Sequence, residues 1–195
     1  MKILYEDIVL RDYLPSDIED EIRWTNHDNA WFFADTPWMS IERLDPDDFR
    51  CEMTEYLASM PEGDFVRHRL EIEVDGKHIG MVSSYYLDKS FNSMPWDSVD
   101  PNKSAGENNA IRAMGIEIFE KDFWCRGIGY KALTAFMDYY RRKLGEKCFA
   151  LETWSGNVRM QRCAEKLGFV EVKRDKNAYT VKDKTYDAIV LKKEF

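Results

Sequence analysis

Residues 123–133 read Phe-Trp-Cys-Arg-Gly-Ile-Gly-Tyr-Lys-Ala-Leu, and this stretch decides the fold. An apolar run at 111–119 precedes it, and apolar residues recur at helical spacing after it until Gly145, a typical helix-capping residue. Gly127 and Gly129 let the main chain approach an anion closely, and the N-terminus of the following helix offers free N–H groups. The pattern predicts a strand, a glycine turn and a helix that together bind a phosphate.

Composition limits the classes of protein to which the chain can belong. Its 195 residues, with six Trp, ten Tyr and eleven Phe, are enough for one domain (1–195) with a single core. The formal net charge of −8 argues against a nucleic-acid partner, since duplex binding needs clustered Lys and Arg. An acidic surface fits a cationic substrate only weakly.

The four cysteines are far apart and form no Cys-x-x-Cys pair: Cys51, Cys125, Cys148 and Cys163. This spacing predicts neither a disulfide framework nor a metal site, and reduced thiols indicate a cytoplasmic protein. The first eight residues carry two acids and no apolar signal-peptide core. No apolar stretch has the length of a membrane span, so no membrane partner is expected.

The pattern of apolar residues predicts alternating strands and helices. Asp75-Gly76 favours a tight hairpin between strands at 70–74 and 79–87. The other predicted elements are a first strand around Ile8 and Leu10, helices from Asp17 and Pro46, a strand at 148–154, a helix from Asn157 to Gly168, and strands near 170–172, 177–181 and 185–191.

Two segments do not fit this alternation. Residues 24–40 contain Trp24, Trp31 and Trp38 among polar residues. The tryptophan rings belong either to the core or to a substrate site. Residues 88–110 predict a long loop, which is either a lid that faces substrate or a flexible excursion.

The residues 127–132 also satisfy the Gly-x-Gly-x-x-Gly/Ala pattern of dinucleotide-binding folds. A dinucleotide fold would need several more strand–helix units after this turn, and the chain after Gly129 has room for one helix and a hairpin. We therefore set the nicotinamide interpretation aside.

The segment 115–129 resembles the acyl-CoA-binding motif of the GNAT superfamily of N-acetyltransferases, Gln/Arg-x-x-Gly-x-Gly/Ala. Trp124 stands in the Gln/Arg position, as in the branch that resembles ribosomal-protein N-terminal acetyltransferases and spermidine acetyltransferases. A second motif follows in the right order: Leu151-Glu-Thr-Trp-Ser-Gly-Asn157, then Ala164-Glu-Lys-Leu-Gly-Phe169. The resemblance implies an α/β (α+β) fold with a mixed, mostly antiparallel sheet of about seven strands and helices on both faces.

The resemblance also implies where acetyl-CoA binds, with no metal. Pantetheine would lie between the strands at 115–119 and 148–154, against the backbone of Ile118 and Phe119. Asn157 would reach its amide, act as a plain helix N-cap, or do both. The pyrophosphate would be held by the turn residues Trp124, Cys125, Arg126, Gly127, Ile128, Gly129 and Tyr130. Arg126 either contacts a phosphate or is a solvated charge of the loop.

Two carboxylates are candidate catalytic bases, Glu117 and Glu152; either could equally be a sheet-edge residue with no role. Many relatives carry a tyrosine general acid where this chain has Ala164, so the acid is missing, relocated to Tyr130, Tyr179 or Tyr186, or replaced by water. Met160 likewise replaces a small hydroxyl residue. The interpretation is an N-acetyltransferase that acts on a primary amine: a protein N-terminus, a polyamine or another small molecule. A non-catalytic acetyl-CoA sensor, transfer of a longer acyl group, and a homodimer remain open.

Overall fold

The computed structural model describes residues 1–61 and 63–195, and its centre is one eight-stranded sheet. The strands are Lys2–Tyr5 (β1), Ile8–Arg11 (β2), Arg69–Val74 (β3), Lys77–Leu87 (β4), Ile111–Ile118 (β5), Cys148–Trp154 (β6), Val170–Val181 (β7) and Lys184–Glu194 (β8). The helices are Asp17–Asn26 (α1), Phe32–Asp35 (α2), Pro46–Ser59 (α3), Ile128–Leu144 (α4) and Val158–Lys166 (α5).

The strands lie in the order β1-β2-β3-β4-β5-β6-β8-β7, and only β5 and β6 run parallel. The mixed, mostly antiparallel sheet is confirmed. The expected seven strands become eight because Glu6, at φ 50°, turns the N-terminus into a hairpin. The separate strands predicted at 170–172 and 177–181 form one strand, β7, with two irregularities in its register.

Helices cover both faces of the sheet, as expected. On one face, α4 and α5 pack Phe136, Tyr140 and Leu167 against strand residues such as Leu10 and Leu151, which forms the main core. On the other face, α1 and α3 share a smaller cluster of Tyr13, Ile18, Ile22, Phe49, Met53 and Leu57.

The loop at 88–110 is anchored far from the turn at 124–130. It leaves β4 after Leu87, whose partner in the sheet is Ile111 at the start of β5. Its Ala105 N–H donates to the carboxylate of Glu146 at 2.8 Å, and Glu146 also accepts from the buried Arg112. The seven residue steps along β5 place this end about 23 Å from Ile118. The structure therefore corrects the expectation that this loop faces substrate.

Candidate active site

Two parallel strands part to form an opening in the sheet. The pairing of β5 with β6 ends at Met114 and Leu151. Beyond that point β5 continues to Ile118 beside β4, whereas β6 continues beside β8. The last four residues of β5 therefore have a free side that faces the opening.

The hydrogen bonding of β5 shows which of its backbone groups face this opening. Phe119 donates its N–H to Ile79 at 2.9 Å, so its amide points towards β4. In an antiparallel strand, alternate residues point their backbone N–H and C=O groups towards the same neighbouring strand. The backbone groups of Glu117 therefore also point towards β4, and those of Ile116 and Ile118 point into the opening. Phe119, predicted to contact pantetheine, has its N–H occupied within the sheet. The Ile118 carbonyl accepts a hydrogen bond from the indole N–H of Trp124 at 2.7 Å.

The turn before α4 presents a row of unused amide groups. Cys125 and Gly127 have positive φ angles of 61° and 79°, which bend the chain around the helix start. A β-carbon at Gly127 would be strained by this backbone conformation. Among the described residues, none of the amides from Cys125 to Tyr130 donates to a protein acceptor, and no side chain caps α4. Free amides at the positive end of a helix dipole form an anion site.

Helix α5 adds positive charge to the same opening. Arg159, Arg162 and Lys166 line it and are exposed. The Arg159 guanidinium lies 4.0 Å from the centre of the Trp124 ring, which ties α5 to the turn. Asn157 caps α5, since its Oδ1 accepts from the Met160 N–H at 3.1 Å. This bond leaves the Asn157 amide nitrogen available to a molecule in the opening.

Together these elements enclose a cleft of about 350 Å³. Most of the predicted cofactor residues line it: Ile118, Trp124, Cys125, Gly127, Ile128, Gly129, Tyr130 and Asn157, and the predicted catalytic residue Glu117 lines it too. Arg126 does not; its guanidinium lies over the Phe123 ring. Phe119 lies in a neighbouring cavity instead. Trp31 and Met160, which the sequence analysis singled out, also line the cleft; the lining residues that it missed are Ala34, Asp35, Ile116, Phe123, Arg159, Arg162, Cys163 and Lys166.

The neighbouring cavity has a volume of about 210 Å³ and lies between the sheet and α1. Its lining residues are Glu21, Trp24, Thr25, Trp31, Arg69, Met81, Glu117 and Phe119. Trp31 and Glu117 line both this cavity and the cleft. Glu117 therefore lies at the boundary between the two spaces.

Glu117 is the carboxylate whose surroundings suit proton transfer. Its Oε2 is shielded from solvent and has no hydrogen-bond partner among the described residues. Burial raises the pKa of Glu117 to about 7, and the negative charge of Asp35 contributes in the same direction. A carboxylate with a pKa near 7 can accept a proton at physiological pH.

Glu152, the second predicted base, lies elsewhere. It is exposed, lines neither cavity, and accepts a hydrogen bond from the Tyr85 hydroxyl at 2.8 Å. Glu117 lines the cleft and Glu152 does not, although, in addition to burial, the negative charges of both carboxylates raise the pKa of their shared neighbour Tyr85.

The predicted substitutes for the missing tyrosine acid are not grouped in the cleft. Ala164 is fully buried in the main core. Tyr130 lines the cleft at the start of α4. Tyr179 stacks on Trp38 at 3.6 Å between ring centres, and Tyr186 packs edge-on against Trp154.

Metal-type ligands come together at one place among the described residues, beneath α1. Ligand atoms of Asp17, Asp20 and His78 lie within 4.8 Å of one another. Arg11 donates two hydrogen bonds to Asp17, and Glu71 contacts the far ring nitrogen of His78. This cluster is a buried ion-pair network away from the cleft.

The family model described as an acetyltransferase (GNAT) domain matches residues 7–170. The structure of RimL, a ribosomal L7/L12 alpha-N-protein acetyltransferase in complex with coenzyme A, is similar at TM-score 0.67 and 15% identity, over 100% of this chain and 98% of that one.

Two further solved structures have the same fold. The putative acetyltransferase yncA from Salmonella typhimurium, with acetyl-CoA, gives TM-score 0.62 and 17% identity over 97% of this chain and 94% of that one. The microcin C7 self-immunity acetyltransferase MccE, in complex with acetyl-CoA and AMP, gives TM-score 0.63 and 18% identity over 97% of this chain and 93% of that one.

A search of curated protein sequences finds no match. No helix among the described residues combines the length and the apolar composition needed to cross a membrane. The family model nevertheless spans most of the chain, residues 7–170, which include the parted strands, the glycine turn and the start of α4. The protein belongs to the GNAT family of acetyltransferases.

Proposed function

We propose that the protein transfers the acetyl group of acetyl-CoA to a primary amine, with Glu117 as the general base. The observation that carries the proposal is the position of Glu117, whose carboxylate borders both the cleft and the neighbouring cavity of about 210 Å³, which we call the acceptor-side cavity. One space holds the donor, the other holds the acceptor, and the base lies where they meet.

The donor fits the cleft by charge and by shape. The amides at 125–130 and the cations of α5 bind the phosphates of coenzyme A, which lets a protein of net charge −8 hold a polyanion. Pantetheine extends between β5 and β6, where Ile116, Ile118 and Asn157 supply hydrogen-bonding groups. The printed descriptions of RimL, yncA and MccE include coenzyme A or acetyl-CoA, which supports this assignment.

The reaction forms one N–C bond and breaks one C–S bond. The amine gives a proton to Glu117 and attacks the thioester carbonyl, which becomes a tetrahedral oxyanion. A backbone N–H of the free side of β5 stabilises that oxyanion, and the candidate donor is whichever of Ile116 and Ile118 does not bind pantetheine. Collapse of the intermediate releases the coenzyme A thiolate, which takes a proton from water or from a tyrosine.

The acceptor approaches from the acceptor-side cavity. Its three aromatic walls and its acidic groups suit a cationic amine. The acceptor in this proposal is a protein N-terminus, a polyamine or another small amine. RimL is described as an acetyltransferase of a ribosomal protein and MccE as one of microcin C7 self-immunity, so proteins of this fold differ in what they act on. A cytoplasmic location and a homodimer stay predictions.

A non-catalytic acetyl-CoA sensor is the alternative, and Ala164 favours it because the usual acid is absent. Release of free coenzyme A thiol, measured with and without a panel of primary amines, separates the two. Turnover that depends on the amine and is lost in Glu117→Gln supports the enzyme. Tight acetyl-CoA binding with no amine-dependent thiol release would support the sensor.

A further inference from the structure

We infer that the acceptor is a small alkyl diamine that places its distal ammonium beside Glu21 and its reacting amine beside Glu117. This inference rests on the proposed function and concerns the same site. It is carried by the charges, walls and size of the acceptor-side cavity.

The charged groups of this cavity leave a negative excess. Glu21 and Glu117 are acids that line it, and Arg69 is the one base among its described lining residues. Arg69 is already paired, since it donates to Glu71 at 2.7 Å from Nε and also to Glu21 through Nη2. Its positive charge is therefore shared between two carboxylates.

Glu21 keeps one oxygen for a ligand. Its Oε1 accepts from Arg69, and its Oε2 accepts no hydrogen bond from the described residues. The Glu21 side chain is 16% exposed and lines the acceptor-side cavity. A small molecule in this cavity can therefore reach Oε2. A hydrogen bond from the distal ammonium to this oxygen would be charge-assisted, and such bonds are stronger than those between neutral groups.

The walls of the cavity favour a cation with an apolar stem. Trp24 stacks on Phe119 at 4.5 Å between ring centres, and Trp31 meets Phe119 edge-on at 4.8 Å. Met81 completes the apolar lining on the sheet side. Aromatic faces attract ammonium groups, and the stem between two ammonium groups packs against such rings.

The register of the sheet sets the distance that the acceptor spans. Glu71, Met81 and Glu117 are directly opposite one another on β3, β4 and β5. Arg69 anchors Glu21 to β3, whereas Glu117 belongs to β5, so two strand spacings, about 10 Å, separate the anchoring backbones. A flexible chain of several methylenes, with a hydrogen bond at each end, fits this scale.

An acceptor that carries a carboxylate fits poorly. Arg69 is the base that could receive it, and its hydrogen bonds already go to two carboxylates. The carboxylate of such an acceptor would lie near Glu21 and Glu117 with no cation paired to it. An unpaired charge in a partly buried space costs free energy.

The test is steady-state release of coenzyme A with putrescine and cadaverine, each compared with its monoamine, butylamine and pentylamine. We expect KM for each diamine to be at least about tenfold lower than for the monoamine of equal length. Equal KM values would overturn the diamine inference and leave the proposed function intact. If none of these amines causes release of the coenzyme A thiol, the proposed function itself is overturned.

Variants of two glutamates on α1 locate the effect. Glu21→Gln should reduce the ratio of diamine to monoamine kcat/KM by about tenfold, and Glu21→Asp should recover part of it. The matched control is Glu19→Gln, which removes an exposed carboxylate paired with Arg50 and should keep the wild-type ratio. A ratio unchanged in Glu21→Gln would contradict the inference, because the wild-type preference would then come from another group.

Discussion

The indole nitrogen of Trp124 lies 2.7 Å from the carbonyl oxygen of Ile118 and donates a hydrogen bond to it. This bond joins the phosphate-binding turn to the last residue of β5. The same ring packs under the Arg159 guanidinium, so one side chain connects the turn with both walls of the cleft.

Replacing Trp124 by Phe removes that hydrogen bond and keeps an aromatic ring under Arg159. We expect the Kd for acetyl-CoA to rise about fivefold, because one partly buried hydrogen bond contributes about 1 kcal/mol. Isothermal titration calorimetry measures the change. Trp96→Phe, at the far end of the sheet, is the control, and an equal loss in both variants would contradict the assignment.

Replacing Arg162 by Gln removes one exposed cation from the cleft. We expect acetyl-CoA to bind about two- to fivefold more weakly, since exposed charge pairs contribute up to about 1 kcal/mol. The difference from wild type should shrink at high salt, which screens exposed charges. Arg142→Gln, an exposed change at the end of α4, is the control and should bind as wild type does. No effect at low salt would place the phosphates away from α5.

Replacing Glu117 by Gln removes the proposed base. We expect kcat to fall about 100- to 10,000-fold, the usual contribution of a general base, while acetyl-CoA binding persists. Glu152→Gln, which changes an exposed carboxylate, should stay within about threefold of wild type. Loss of activity in Glu152→Gln alone would reverse the assignment.

The pH dependence of kcat/KM follows from the same residue. Glu117 acts only when deprotonated, and burial raises its pKa to about 7. The rate should therefore rise about tenfold per pH unit below 7 and level off above it, and the rise should vanish in Glu117→Gln.

The raised pKa of Glu117 also has a cost in stability. In the unfolded chain the Glu117 carboxyl has its ordinary pKa of 4.5, and burial raises this pKa to about 7 in the folded protein. The folded state holds the proton more tightly, so the stabilisation present below pH 4.5 is lost as pH rises through 7. Glu117→Gln should raise the free energy of unfolding at pH 8 by up to about 3 kcal/mol relative to wild type. Urea denaturation at pH 5 and pH 8 tests this; a gain of equal size at both would contradict the explanation.

The cofactor turn could be predicted because its parts are adjacent in sequence. Gly127 and Gly145 mark the start and end of α4, and both have the left-handed backbone that favours glycine. The basic residues of α5 were also within reach, since Arg159, Arg162 and Lys166 recur at helical spacing and form one stripe after Asn157. The apolar stripe of this helix predicts its inner face, but the basic stripe on its outer face was missed.

The acceptor-side cavity could not be predicted in the same way. It combines α1, the turn that carries Trp31, and three strands, so it depends on the register that places Met81 opposite Glu117. A shift of one residue would turn Glu117 to the other face of the sheet. The single long β7 was missed for a related reason: Asn177, at φ 55°, bulges the strand, and alternation alone does not show a bulge.

The most direct test of the account is a crystal structure of the protein with coenzyme A. We expect the pyrophosphate to lie on the amides of Cys125 to Tyr130 and the thiol to lie beside Glu117, between β5 and β6. Coenzyme A bound on another surface, with this turn making no phosphate contact, would contradict it.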